Sequence, residues 1–198
     1  LNKLKRECIS LNKNSIVHVF SLDLSHEASQ SEIITFIKNN FKQGLDILIH
    51  NAAILLNKKF TEFSKDDIEN TFNINSFVPF ILTQRLMGLF NDNAHILFIS
   101  SMGGVQGTQK FPGLSLYSIT KSTLITLTEC LSEEYQNTSL TFNCLALGAV
   151  QTEMLRQAFP DYQAPLSSQE MAEFIVDFSL SGSKYFKGKV IPVSLSTP

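Results

Sequence analysis

Apolar and polar positions along the chain alternate between two kinds of segment. Short, β-branched runs read as strands buried on both faces: "SIVHVFSL" (15–22), "LDILIHNAA" (45–53), "HILFISS" (95–101), "LTFNCLAL" (140–147) and "KVIPVSL" (189–195). Between them lie longer segments with helical spacing, 29–43, 66–90, 115–136 and 167–180. The third carries Leu116, Ile119, Leu124, Ile125, Leu127 and Leu131, close to an i, i+3, i+4, i+7 stripe. "SKDD" at Ser64 and "SSQE" at Ser167 are helix-start signals, the second with capping-box spacing. Strand and helix alternating at this interval predict βαβ units and an α/β fold with a doubly wound parallel sheet. Pro192 lacks a donor for a ladder, so the last strand belongs at an edge. No repeat, low-complexity stretch or linker divides residues 1–198, which are read as a single domain.

The beginning breaks the pattern. "LNKLKREC" is a polar helical fragment, and the first glycine is Gly44. Dinucleotide folds open on a strand and a glycine-rich turn whose amides hold pyrophosphate at a helix N-terminus. Nothing in residues 1–50 can do that.

Composition narrows the field. A net charge of −2 with no basic stripe argues against nucleic acid or an anionic membrane as partner. Cys8, Cys130 and Cys144 are odd in number and scattered, which fits reduced thiols in a cytoplasmic protein, and the four histidines form no metal-ligand spacing. No apolar run has the length of a membrane span.

Candidate chemistry sits in "SLYSITKSTLITL", where Tyr117 and Lys121 lie one turn apart on a helix face. The bare spacing is weak, and the chain holds a decoy: Tyr185 and Lys189 share it, interrupted by Gly188 and leading into a strand. Context separates the two pairs. Tyr117 follows "FISSMGG", a strand ending in hydroxyls and glycines, and precedes "LALGAVQTEM", another glycine turn opening a short helix. Asn51, Ser100 and Ser101, and Gly148 with Thr152 then present polar groups at one rim, where parallel sheets bind ligands. Taken singly, a serine after a strand is a cap and a helical tyrosine is core; the order of the set outweighs those readings.

These residues resemble the short-chain dehydrogenase/reductase family. "HNAA" (50–53) resembles its N-N-A-G turn, "FNINSF" (72–77) its asparagine-bearing helix segment, and "SSMGG" its catalytic serine element. "YSITK" resembles its Y-x-x-x-K, and "NCLALGAVQTEM" its N-x-x-x-P-G-x-V-x-T segment. The resemblance implies a Rossmann-like oxidoreductase passing hydride between NAD or NADP and a small carbonyl or alcohol. Asn75, Ser101, Tyr117 and Lys121 take the catalytic places: Tyr117 as general acid/base, its phenol lowered by Lys121 and an oxidised nicotinamide, Ser101 bonding the substrate oxygen, and Asn75 holding a relay water. Asp23, Asn51, Ala52, Tyr117, Lys121, Gly148, Val150 and Thr152 take cofactor places, with Asp23 beside the adenine. No metal is implied. Ala53 and Leu147 stand where the family has glycine and proline, and "QGTQKFPG" reads as an extra loop. The residues that choose between NAD and NADP follow the family's second strand, which has no counterpart here. The resemblance further implies a chain missing its first two strands, expected to be a piece of a longer polypeptide, and a homodimer or homotetramer paired through helices 66–90 and 115–136. The segment 153–168, with Met154, Leu155, Phe159 and Tyr162, occupies the family's substrate lid. The rival expectation is an inactive, reductase-derived interaction or scaffold unit.

Overall fold

The computed structural model describes residues 1–195. Four strands, β1 (Leu45–His50), β2 (Phe90–Ser101), β3 (Thr141–Leu147) and β6 (Val190–Val193), form one parallel sheet in the order β1-β2-β3-β6. A two-residue pair, β4 (Val150–Gln151) with β5 (Leu166–Ser167), frames the segment beyond β3. The helices are α1 (Asn2–Leu11), α2 (Glu27–Asn40), α3 (Lys65–Phe72), α4 (Val78–Leu86), α5 (Ser115–Glu134), α6 (Glu153–Ala158) and α7 (Ser168–Ser181).

Alternation along β2 explains why it reads as one apolar run. Ala94, Ile96 and Phe98 face one side and pack with Phe142, Cys144 and Leu124 of α5. Leu97 and Ile99 face the other side and pack with Leu145 and Phe178 of α7. Both faces of the strand are thus covered, as a doubly wound sheet requires. Phe98, Phe142, Ile96, Leu97 and Leu145 are fully buried, each contributing about 1.5–3 kcal/mol. A third cluster joins α2, α4 and β1 through Ile34, Leu45, Val78, Leu82 and Leu86. Pro192 lies on β6, which among the described residues pairs only with β3, so its missing N–H faces the unpaired side. Among the described residues no helix is long and apolar enough to cross a membrane.

Two expectations fail. Residues 15–22 are not a strand. They run beside α2, where His18 and Phe20 both meet the Phe36 ring edge-on at 4.7 Å. A strand exists by its ladder, and no neighbouring strand lies beside this segment among the described residues; the outer edge of β1 is likewise unpaired there. The second failure is the continuous helix 66–90. It starts at a capping box, Ser64 with Asp67, but widens into a π-helical turn at Asn73–Phe77 before α4. Pro79 cannot donate an N–H to the carbonyl four residues back, and Val78 N bonds Asn73 O in an i+5 register.

Candidate active site

Parallel pairing brings three strand ends to one rim: His50 sits opposite Phe98, and Ser101 opposite Leu147. The end of β2 is then fastened to the first turns of α5. Ser100 Oγ donates to Lys121 O at 2.7 Å, and Lys121 Nζ donates to Ile99 O at 2.7 Å. The turn after Ser101 lies so close to α5 that a Cβ on Gly104 would come within 2.8 Å of the Lys121 carbonyl carbon and Ser122 N. Only glycine permits that approach. Ser101 Oγ accepts from Gly103 N at 3.2 Å, which orients the hydroxyl at the strand end.

Tyr117 is half-buried, and the Ser101 hydroxyl lies near enough to its phenol to lower its pKa. Lys121 is buried, with Nζ 5.7 Å from the centre of the Tyr117 ring. Phenol, alcohol and amine therefore converge on the β2–α5 junction. In the protein by itself, burial dominates the electrostatics of both groups. Burial pushes Tyr117 up to about 12, with the Ser101 hydrogen bond pulling the other way. Burial brings Lys121 down to about 8, opposed by the neighbouring Cys144 thiol. Desolvation favours the neutral form of each group.

Asn75 lies on the π turn, fully buried, but its amide is occupied. Its Oδ1 accepts from Ile54 N at 2.8 Å, and its Nδ2 donates to Ile54 O at 2.9 Å and Thr120 Oγ1 at 3.0 Å. The side chain clamps the loop after β1 to α5. Ser76 continues the seam, with its hydroxyl 2.8 Å from Thr123 Oγ1. Sequence reading missed Thr120 and Ser76; a proline inside a helical pattern was the available sign of an irregular turn there.

The remaining cofactor candidates divide. Asn51 and Ala52 are exposed immediately beyond β1, on the same rim. Gly148 N donates to Val193 O at 2.9 Å, Val150 pairs with Leu166, and Thr152 Oγ1 accepts from Leu155 N at 3.2 Å as the cap of α6. Asp23 stands apart at the turn into α2. Its carboxylate accepts from Ser25 N at 2.9 Å and lies 3.4 Å from His26 Nδ1. Hydrogen bonds from Ser25, with His26 a smaller contribution, hold it below its ordinary value. Tyr185, of the decoy pair, is 79% exposed.

This donor set suits one end of a dinucleotide. Two hydroxyls, an ammonium and the exposed Asn51–Ala52 turn match a ribose diol and a carbonyl oxygen. Gly44 sits at the start of β1, at the opposite end of the sheet, so among the described residues no glycine turn at this rim precedes β1.

The comparisons agree with this architecture. The sequence profile of the short chain dehydrogenases matches residues 1–163, and the chain belongs to that family. An uncharacterized oxidoreductase of Staphylococcus aureus (strain USA300) is 25% identical over 193 residues, 96% of this chain and 81% of the relative. Another, from Staphylococcus saprophyticus, is 26% identical over 171 residues, 82% of this chain and 68% of the relative. A short chain dehydrogenase of Salmonella enterica serovar Typhi superposes with a TM-score of 0.84 at 25% identity, covering 97% of this chain and 81% of its own. A short chain dehydrogenase of Shigella flexneri complexed with NADP gives 0.82 at 25% identity, covering 96% and 82%.

Proposed function

We propose that the protein is an NAD(P)-dependent oxidoreductase interconverting a small carbonyl compound and its alcohol, with Tyr117 as the proton donor and acceptor. The convergence of Ser101, Tyr117 and Lys121 carries the reading, and the NADP complex of the Shigella flexneri relative supports the cofactor class. A bound nicotinamide supplies or takes the hydride. The chain's own residues handle the oxygen and its proton. Ser101 donates a hydrogen bond where charge accumulates on the substrate oxygen. Tyr117, held neutral by burial, gives that oxygen its proton. The phenolate left behind is stabilised by the Lys121 ammonium 5.7 Å from its ring. Asn75 positions rather than reacts, fixing the Asn51–Ile54 turn against α5. Asn51, Ala52, Gly148, Val150 and Thr152 shape the nicotinamide side, and Asp23 the adenine side.

A homo-oligomer fits the surface. Phe72, Ser76, Phe77, Phe80, Thr123 and Leu127 line an apolar groove of about 300 Å³ between α4 and α5, and Phe77 and Phe80 are 54% and 51% exposed. Pairing of that face across a two-fold axis covers it in a four-helix contact.

The rival reading is an inactive, reductase-derived scaffold unit. Replacing Tyr117 with Phe distinguishes the two. Carbonyl-dependent NADPH oxidation should fall about a hundred- to ten-thousand-fold with NADPH affinity nearly intact, while Tyr185→Phe changes nothing. Equal turnover in wild type and Tyr117→Phe refutes the assignment, and a wild type inert towards every carbonyl favours the scaffold.

A further inference from the structure

Asn57 joins three separate segments at the catalytic rim, and the proton chemistry does not use it. Its Nδ2 donates to Ala158 O, at the end of α6, at 2.8 Å across 101 positions of sequence. Next to it, Lys58 N donates to Gly113 O at 3.2 Å, docking the loop that runs from Ser101 towards α5. Gly113 has φ +86°, and a Cβ there would collide with the Asn57 carboxamide. Position 113 is therefore a seat for that side chain.

The base beneath Asn57 is firmly held. Asn75 bonds both backbone groups of Ile54, and Lys58 Nζ reaches Asp67 Oδ2 at 2.7 Å, in the capping box of α3. On the loop side, Thr108 Oγ1 lies 2.6 Å from Met102 O and 2.9 Å from Val105 O, folding residues 102–108 on themselves. The lid side differs. Helix α6 has six residues, none of them buried, and its flanks are secured by the Thr152 cap, the β4–β5 pair and the bond from Ala164 N to Gln151 Oε1 at 2.7 Å. A short helix with no buried residue opens readily, so an interloop hydrogen bond at its end bears on its closure.

We infer that Asn57 is a latch: it holds α6 closed over the rim where Ser101 and Tyr117 meet, and it positions the substrate by closing the site around it. What passes beneath rests on the carbonyl reductase reading, and the half-buried Met154, Leu155 and Phe159 of the lid suit an apolar or aromatic body.

Hydrogen exchange on the full chain tests the latch without turnover. In Asn57→Ala, and in Asn57→Asp, which keeps the shape but loses the donor, the α6 amides of Arg156 and Phe159 should exchange about three- to tenfold faster. Those of β2 and β3 should keep their wild-type rates. With NADPH and benzaldehyde as probe, KM should rise about three- to tenfold while kcat stays within about twofold. Wild-type exchange over 153–159 in both variants overturns the latch, as does acceleration spread equally through β2 and β3. Local acceleration with KM unchanged overturns the positioning role. A wild-type chain that turns over no carbonyl refutes the reductase reading instead, and exchange then decides the latch by itself.

Discussion

His50 ends β1 one residue before the Asn51 turn, and its titration gives a direct measure of how dry that end of the sheet is. The ring is 7% exposed and stacks on Phe98 at 5.0 Å with planes 10° apart. Nε2 lies 2.8 Å from Thr83 Oγ1, whose own hydroxyl hydrogen is given to Pro79 O at 2.7 Å. Thr83 must therefore accept, and His50 is the neutral Nε2–H tautomer by the logic of that network. Burial lowers its pKa from 6.5 to about 4. A folded value below the unfolded one means that acid favours the unfolded chain. The stabilisation is complete above the unfolded value of about 6.5 and is lost as the pH falls towards 4. The size of the shift corresponds to about 3 kcal/mol. Urea unfolding followed by circular dichroism at pH 7, 6, 5 and 4 measures it. His50→Gln keeps a donor for Thr83 but cannot titrate, and it retains every other acid-sensitive group, including buried His95, which is also lowered by desolvation. Wild type should lose about 3 kcal/mol more than the variant between pH 7 and 4, roughly 1–2 M in urea midpoint. Parallel curves for the two proteins would show that β1 ends in water and that the desolvation argument is wrong.

Other outcomes follow from close contacts. Gly104→Ala should cost about 1–3 kcal/mol and lower kcat at least about tenfold, because the added methyl meets main-chain atoms of α5 rather than a movable side chain. Thermal melts and turnover check this against Gly88→Ala, where no atom lies within 4 Å and stability should hardly change. Phe80→Glu should shift the chain to a smaller species in light scattering without moving its melting temperature by more than about 2 °C. An unchanged mass would remove the α4–α5 groove as the pairing surface.

Much of the scaffold was legible because it is local. The runs at 45–53, 95–101 and 140–147 carry apolar residues on both alternating sets of positions, since helices cover both faces of the sheet, and that demand is written into each segment separately. The Ser64 and Ser167 caps are four-residue signals, and both form capping boxes. Tyr117 and Lys121 share a helix face by periodicity alone.

What lay beyond the sequence was every property that depends on a distant partner. Residues 15–22 have strand composition, yet a strand needs a ladder, and composition cannot supply the neighbour. The amide of Asn75 is committed to Ile54, 21 positions away, and that of Asn57 to Ala158, 101 positions away; neither bond leaves a trace in the residues beside it. The charge state of the reacting groups is of the same kind. Sequence put a cation one turn from a phenol and suggested a lowered pKa, but the folded chain removed both from water, and desolvation is the largest influence on each. Local spacing fixes which groups can meet, whereas the solvent left around them is set by the packing of segments far apart in the chain.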